Sequence, residues 1–275
     1  MDDEDETAPE AHRKQVVKQA RDGRLVWFRA KADPEFWHDY FLANFSHDLI
    51  EGYRAKRLER DALGRILAGN LPREGTVLEA GSGAGYWLAT LQGNGFDVEG
   101  VEWSQKLVDR VLEVAPDLPM RQGDVTALDV PDGRYVGYVS LGVVEHREEG
   151  PEPFLDEAFR VLAPGGVAVI SVPMFGLTRR LKARLGRYRR PVGDLPFYQY
   201  AYRAAEIRDY VAGAGFQVTG VATYSFDRML REEAPRVSRL VSGRLRGPLM
   251  AAADRFLSRS DGHMVAVIAT KPPTS

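Results

Sequence analysis

The segment VLEAGSGAG, from Val77 to Gly85, ends an apolar run at Glu79 and then places glycines at Gly81, Gly83 and Gly85. A glycine-rich turn after a buried strand usually lets the backbone come close to a ligand. Such loops commonly hold phosphate groups at a helix N-terminus, where a neighbouring carboxylate is unfavourable. The acid ahead of the glycines therefore favours a ligand that carries positive charge.

The glycine spacing helps to separate two kinds of nucleotide cofactor. The dinucleotide-binding pattern G-x-G-x-x-G would put its third glycine at position 86, where this chain has Tyr86. S-adenosyl-L-methionine carries an ammonium group and a sulfonium and has no phosphate, so it suits a loop headed by Glu79. We therefore expect S-adenosyl-L-methionine as the cofactor, with an NAD-dependent oxidoreductase as the alternative enzyme class.

Two later segments carry residue types that suit the rest of this cofactor. In GVEWS, Glu102 could accept both ribose hydroxyls, as NAD would also require, and Trp103 could cover the adenine face. In GDV, Asp124 could accept from the adenine amino group, with the Val125 backbone beside it. Other roles stay open, because Glu79 could cap the next helix, Trp103 could belong to the core and Asp124 could be a turn residue.

His146 ends the segment VVEH, at the mouth of a predicted fourth strand and near the expected site of methyl transfer. A general base is needed only if the acceptor is an O–H or N–H group that keeps its proton, and His146 is then the candidate catalytic residue. The alternative is a structural or surface histidine. The other histidines have no metal-ligand spacing, so we expect no metal site: His12, His38, His47 and His263.

Alternating strand and helix patterns must position these residues. From Thr76 onward, apolar strand-like segments alternate with amphipathic helical ones, and the links between them are short. This alternation predicts an α/β fold with a doubly wound, mostly parallel sheet. Ligands of such sheets bind beyond the carboxyl ends of the strands, where the candidate residues stand.

The chain divides into three predicted parts. Residues 1–12 are acidic and poor in apolar side chains, which predicts a disordered tail. Residues 13–70 are interpreted as an N-terminal helical cap, and residues 71–275 as the main domain. Two segments, 174–203 and 227–262, break the alternation and are predicted to be helical insertions over the ligand edge or flank of the sheet.

Five segments together resemble one known family, the class I S-adenosylmethionine-dependent methyltransferases. The resemblance covers roughly residues 75–172, and the segments are VLEAGSGAGYWLATL, VEGVEWSQKLVDRV, QGDVTAL, VSLGVVEH and AFRVLAPGGVAVISVP. It implies a seven-stranded Rossmann-like methyltransferase fold, and it points to the small-molecule branch that includes the quinone-biosynthesis enzymes. The expected acceptor is therefore small or lipid-like.

The resemblance also implies positions along the cofactor. Glu79 and the glycines would face its methionine end, Glu102 the ribose, and Asp124 the adenine. Leu141 would lie near the sulfur. One landmark differs, because relatives often begin the fourth strand with an aromatic–Asp pair and this chain has Tyr135–Val136. That position lies away from the methyl group, so the difference leaves cofactor binding intact.

The first insertion contains a basic amphipathic segment, FGLTRRLKARLGRYRR. Its apolar residues fall on one helical face, and basic residues occupy much of the remainder: Leu177, Leu181, Leu185 and Tyr188 against Arg179, Arg180, Lys182, Arg187, Arg189 and Arg190. The pattern is typical of a helix on an anionic membrane surface, so residues 177–190 are a candidate for peripheral membrane contact. The alternatives are a lid helix whose leucines pack on the domain, or a site for an anionic substrate.

Composition narrows the class of protein. The formal net charge of the 275 residues is -2, and there is no cysteine, so we expect neither nucleic-acid binding nor thiolate metal sites. The N-terminus MDDEDE does not resemble a signal peptide, which favours a cytoplasmic location, with membrane contact only at the surface. A non-catalytic protein that binds S-adenosyl-L-methionine is the alternative outside enzymes.

Overall fold

The computed structural model describes residues 16–29, 34–42, 45–240 and 261–273, together with Gly247, Leu249 and Ala252. The predicted acidic tail at 1–12 and most of the segment 241–260 lie outside the described residues. The described strands are β1 (Val17–Arg21), β2 (Arg24–Phe28), β3 (Thr76–Ala80), β4 (Asp97–Glu102), β5 (Met120–Gln122), β6 (Tyr135–Leu141), β7 (Leu162–Pro173), β8 (Phe197–Ala201), β9 (Gln217–Tyr224) and β10 (Met264–Thr270).

Helices fill most of the connections. The described α-helices are α1 (Pro34–Leu42), α2 (His47–Arg54), α3 (Ala62–Asn70), α4 (Tyr86–Gly93), α5 (Gln105–Val114), α6 (Glu152–Val161), α7 (Leu177–Arg184), α8 (Ala204–Gly213), α9 (Phe226–Glu233) and α10 (Pro235–Leu240). Short 3-10 turns lie at Leu58–Arg60 and Val144–His146. No helix among the described residues is long and apolar enough to cross a membrane.

Seven strands form the central sheet in the order β5-β4-β3-β6-β7-β10-β9. β10 runs antiparallel to both of its neighbours, and the described pairings among β3 to β7 are parallel. The chain moves outward from β3 to β5 and then returns to place β6 on the other side of β3. This reversal creates a crevice at the carboxyl ends of β3 and β6, where doubly wound sheets bind ligands.

The two faces of the sheet carry separate apolar cores. On one face, Leu63 of α3, Leu88 of α4 and Leu107 of α5 are buried against the strands. On the other face, Leu155 of α6 and Ile207 of α8 are buried in a second cluster. Helices on both faces of a mostly parallel sheet confirm the predicted doubly wound α/β fold.

The N-terminal segment differs from the predicted helical cap. Residues 17–28 form an antiparallel hairpin whose two-residue turn is Asp22–Gly23, and both turn residues have positive φ. The Asp-Gly pair favours such a turn, and the residues of RLVWF after it are almost all buried, so a strand forms there instead of a helix. The prediction of helices across 13–70 is therefore wrong over 17–28, and among the described residues of this segment the helices begin at Pro34.

The first insertion is also only partly helical. After α7 it supplies β8, which pairs antiparallel with β2 and completes a three-stranded sheet in the order β1-β2-β8. The prediction of a wholly helical insertion at 174–203 is thus wrong over β8. The pairing joins the N-terminal hairpin to the insertion, although about 170 residues separate β2 from β8 in sequence.

Candidate functional site

The glycine loop turns sharply between β3 and α4. Gly81, Gly83 and Gly85 all have positive φ, at 80°, 53° and 76°, which glycine adopts without steric cost. The loop is also tightly enclosed, because a Cβ added to Gly81 would lie 2.4 Å from Val143 Cγ2 and one added to Gly83 would lie 2.7 Å from the Phe41 ring. The glycines therefore let backbone, rather than side chains, fill the space between the turn after β6 and α1.

Three of the predicted residues lie on one face of the sheet. Glu79 is in register with Gly100 of β4 and with Val139 of β6. Because side chains alternate along a strand, Glu79, Glu102 and Leu141 point to the same side. Glu79 and Glu102 are buried and Leu141 is half-buried, so two carboxylates and one apolar side chain border the crevice.

Glu102, the last residue of β4, links this strand to the glycine loop. The Gly83 amide donates to Glu102 Oε2 at 3.0 Å, and the Ser104 amide donates to Glu102 Oε1 at 3.0 Å. Burial raises the pKa of Glu102, while its hydrogen bonds from the Ser104, Gly83 and Trp103 backbones oppose that rise. Each carboxylate oxygen can accept a further hydrogen bond, because an ionised carboxylate offers about four acceptor positions.

Of the three residues predicted to surround the adenine, two are exposed and one is buried. The Trp103 side chain is 53% exposed, so it does not belong to the core. Asp124 is exposed, and its Oδ1 accepts from the Thr126 amide at 2.8 Å and from the Thr126 hydroxyl at 2.7 Å. Asp124 therefore closes a local turn, as the alternative interpretation proposed. Val125 is buried in the core on the opposite face of the sheet.

His146 lies in an aromatic cluster next to this crevice. Its Nδ1 donates to the Tyr198 carbonyl at 2.9 Å, because a carbonyl oxygen can only accept. The ring meets Trp37 and Tyr198 edge-on, at centroid distances of 5.0 Å and 4.9 Å. Burial lowers the pKa of His146 to about 4, although the carbonyls of Tyr198 and Gly142 oppose the change. At neutral pH the ring is uncharged, and its Nε2 carries the lone pair.

Two features of this region were not predicted from sequence. Glu145 is buried beside His146, its Oε2 has no hydrogen-bond partner within the described residues, and burial raises its pKa to about 8. The helix α1 also brings Trp37 and Phe41 to the site, where their rings stack at 5.9 Å. The dense aromatic run FWHDYF was a usable signal for α1, whereas the burial of Glu145 depends on tertiary packing.

Comparison with known proteins identifies the family. Residues 49–221, more than half of the chain, match the family described as "Methyltransferase domain". The chain belongs to the methyltransferase domain family. The matched range contains the glycine loop, Glu102, Asp124 and His146, and the family implies S-adenosyl-L-methionine as the cofactor.

Relatives of known name agree with this family. A protein of Mycolicibacterium smegmatis named "probable S-adenosylmethionine-dependent methyltransferase" is 33% identical over 142 residues, which are 52% of this chain and 52% of that protein. The chain thus spans about half the length of the curated relatives that it matches.

Solved structures share the fold of the methyltransferase domain. A putative methyltransferase of Haloferax volcanii, solved in complex with the Trm112 methyltransferase activator, aligns with a TM-score of 0.55 and 18% identity over 84% of this chain and 99% of that one. A SAM-dependent methyltransferase of Methanosarcina mazei aligns with a TM-score of 0.54 and 16% identity, covering 76% of this chain and 98% of that one. At these identities the likeness concerns the fold alone.

The residues at the crevice fit the cofactor that the family implies. A buried carboxylate at the end of β4 suits two hydroxyl donors, and the Glu79 carboxylate suits a cationic group. Among the described residues there is no group of three or more side chains that could hold a metal ion.

Proposed function

We propose that the chain is an S-adenosyl-L-methionine-dependent methyltransferase that moves a methyl group to a small or lipid-like acceptor by in-line displacement. The observation that carries the proposal is the 3.0 Å hydrogen bond from the Gly83 amide to Glu102 Oε2. It joins the glycine loop to the end of β4 beside the reversal point of the sheet, so residues suited to the methionine part and to the ribose of the cofactor form one unit.

The proposed contacts follow the order of the strand ends. Glu79, with the glycine loop, attracts the ammonium end of the cofactor. Glu102 accepts the two ribose hydroxyls on the acceptor positions that its backbone hydrogen bonds leave open. Trp103, exposed next to Glu102, covers the adenine. Asp124 and the Val125 backbone lie at the adenine edge in this proposal. Asp124 also closes its own turn, and the Val125 side chain faces the core.

Leu141 and α1 contribute the surroundings of the methyl group. Bound S-adenosyl-L-methionine supplies an activated methyl group on a sulfonium. The chain aligns the acceptor with that group and excludes water, and this positioning is its main contribution to the rate. Leu141 ends β6 at the crevice, and α1 covers the glycine loop through Phe41.

His146 is proposed as the base that takes the proton from a methyl acceptor with an O–H or N–H group. Its Nδ1 is fixed on the Tyr198 carbonyl, so Nε2 is the atom that can take a proton. With a pKa of about 4, His146 is uncharged and ready to accept at neutral pH. It is a weak base, which suits an acceptor whose proton becomes acidic as the methyl group is transferred.

An NAD-dependent oxidoreductase is a poorer fit. Tyr86 replaces the third glycine of the dinucleotide pattern, and its ring stacks on Tyr53 at 4.5 Å with an interplanar angle of 17°. Tyr86 is therefore part of the packing between α2 and α4, where a dinucleotide-binding fold needs glycine for close helix–strand contact.

The class of acceptor follows from the cluster around His146. This cluster consists of aromatic side chains from α1 and β8, and such surroundings favour an apolar or planar acceptor. The aromatic residues are Phe36, Trp37, Tyr40, Phe41 and Tyr198. Membership of the small-molecule branch that includes the quinone-biosynthesis enzymes is part of the same proposal. Contact of residues 177–190 with an anionic membrane is a separate proposal, which the exposed leucines of α7 modify.

The test begins with calorimetry of the purified chain against S-adenosyl-L-methionine and against NAD. Tighter binding of NAD would refute the proposal. A screen of metabolite and lipid extracts with a methyl-labelled donor would then report turnover and acceptor together. Binding without turnover across both extracts would favour the non-catalytic alternative.

A further inference from the structure

The helix α7 presents its leucines to solvent. Leu177 is 54% exposed, Leu181 is 57% exposed and Leu185, which caps the helix, is 68% exposed. They recur every four residues and therefore form one stripe along the helix. The expected packing of a lid helix, with leucines against the domain, is thus wrong, and we call this stripe the leucine face.

Polar contacts hold α7 in this orientation. The side chain of Arg179 is completely buried, and its Nη1 donates to the Met174 carbonyl at 2.7 Å. Lys182 and Arg179 both pair with Glu233 of α9, and the Thr178 amide donates to Asp261 at 2.9 Å. Since the inner side of the helix is fixed by buried charges, its apolar side is left on the surface.

The same arrangement corrects the predicted basic face. Arg179 and Lys182 were expected among the membrane-facing charges, but they point inward toward Glu233. The charges that stay exposed lie near the C-terminal end of the leucine face and just beyond it: Arg184, Arg187, Arg189 and Arg190. We call these four residues the arginine rim, and none of them forms an ion pair with another described side chain.

The sequence around α7 and in most of the second insertion is also rich in positive charge. No acidic residue occurs from Leu177 to Gly193, and the formal net charge of the whole chain is only -2, so the positive charge is local. The second insertion, joined to α7 by the Lys182–Glu233 contact, has one acid between Pro235 and Ser260 against six arginines: Arg236, Arg239, Arg244, Arg246, Arg255 and Arg259.

We propose that the leucine face and the arginine rim dock on an anionic lipid bilayer. Exposed leucines beside a set of cationic side chains match the acyl boundary and the anionic headgroups of such a surface. A nucleic acid would use the arginines but leave three leucines in water, so the apolar stripe favours lipid.

The position of α7 relates this docking surface to the crevice. β7 is parallel to β6 and ends at Pro173, at the same edge of the sheet as Leu141, and α7 begins at Leu177. The docked surface is therefore at the edge where β3 and β6 end. Delivery of an acceptor from the bilayer rests on the proposed function, whereas the docking itself does not.

Vesicle sedimentation tests the docking on the full chain. Vesicles of phosphatidylcholine mixed with phosphatidylglycerol should bind the protein at low salt and release it at high salt. Vesicles of phosphatidylcholine alone should bind a fraction of the protein that is about 10-fold smaller or less. The variant L177S/L181S/L185S and the variant R184Q/R187Q/R189Q/R190Q should each lower the partition by about 10-fold or more.

Matched variants on other surfaces serve as controls. The variant R65Q/R110Q/R134Q/R208Q removes the same number of exposed charges elsewhere and should keep most of the binding. Because the chain has no cysteine, Leu181→Cys can carry a single environment-sensitive fluorophore, with Val221→Cys, 41% exposed on β9, as the reference site. Anionic vesicles should change the emission of the label at position 181 and leave that at position 221 unchanged.

Several results would overturn the proposal. They are equal binding to both kinds of vesicle, an equal loss in the control variant, or an unchanged label at position 181. A dimer in sedimentation equilibrium that L177S/L181S/L185S dissociates would assign the leucine face to a second copy of the chain instead. Calorimetry with S-adenosyl-L-methionine on the same variants keeps the two proposals separate, because cofactor affinity should stay unchanged whether or not vesicles bind.

Discussion

Arg179 and Glu233 form a buried ion pair, with Arg179 Nε 3.2 Å from Glu233 Oε1, although 54 positions separate them in sequence. Both side chains are at most 2% exposed. Lys18 of β1 and Lys182 of α7 also pair with Glu233, and Tyr188 donates to it at 2.6 Å. The carboxylate thus joins the N-terminal hairpin, the first insertion and α9.

Removing the arginine should destabilise the protein strongly. Arg179→Met leaves Glu233 with fewer compensating charges in the interior, and breaking a buried pair in this way typically costs about 3–5 kcal/mol. Denaturant unfolding of Arg179→Met beside Arg180→Met, a half-buried neighbour in the same helix, measures the difference. Equal losses in the two variants would show that the pair contributes little.

The same cluster predicts a loss of stability in acid. Burial alone would raise the pKa of Glu233, but Lys18, Arg179, Lys182 and Tyr188 together lower it to about 2 from an ordinary 4.5. A lowered folded-state pKa means that the stabilisation is complete above pH 4.5 and is lost as the pH falls toward 2, on the order of 3 kcal/mol in total. Glu233→Gln should flatten that part of the pH–stability curve, whereas exposed Glu113→Gln should leave it steep.

Glu102 should be required for cofactor affinity. Glu102→Ala removes the acceptor of both proposed ribose hydrogen bonds and the acceptor of the Gly83 amide, which should weaken S-adenosyl-L-methionine by about 2–4 kcal/mol in calorimetry. The control is Glu99→Ala on the same strand, whose carboxylate pairs with Arg121 instead. If both variants bind the cofactor like the original chain, the site has been misplaced.

His146 should affect turnover more than binding. His146→Ala should lower kcat by roughly 100-fold if Nε2 is the base, with little change in cofactor affinity. His146→Asn can keep a donor to the Tyr198 carbonyl while lacking the base. If its kcat is as low as that of His146→Ala, His146 acts by proton transfer. If its kcat recovers, His146 acts by positioning other groups. Because the pKa of His146 is about 4, kcat should hold as pH falls through 6.5 and decline only near 4.

The sequence predicted the central sheet well because its signals are local. The apolar strands of β3, β6 and β7 and the glycine loop after Ala80 are contiguous segments whose periodicity and turn residues favour one structure. Glu79 and Glu102 remain predicted cofactor contacts, and both were predicted because each lies near the carboxyl end of a strand, at the ligand edge of the sheet.

The orientation of α7 could not be predicted from its own residues. A stripe of leucines usually faces the core, but here Arg179 faces inward because Glu233, far away in sequence, accepts from it in the interior. The pairing of β2 with β8 is equally non-local. Local periodicity cannot report either contact, because both partners lie outside the window that determines it.

Because of Glu145, the protein should lose stability as the pH rises from 4.5 to about 8, and replacing Glu145 should prevent this loss. Burial raises its pKa to about 8 from 4.5, so the folded chain keeps the proton at neutral pH while the unfolded chain has lost it. A raised folded-state pKa for a carboxyl group means that stability falls as pH rises from 4.5 to about 8.

Glu145→Gln mimics the protonated group in shape and cannot ionise, so it should raise the free energy of unfolding at pH 8 by a few kcal/mol and change it little at pH 4.5. Chemical denaturation across this pH range measures the change, with Glu149→Gln, an exposed neighbour, as the control. A Glu145→Gln variant that is less stable than the original chain at pH 8 would show instead that the carboxylate is ionised and compensated in the folded protein.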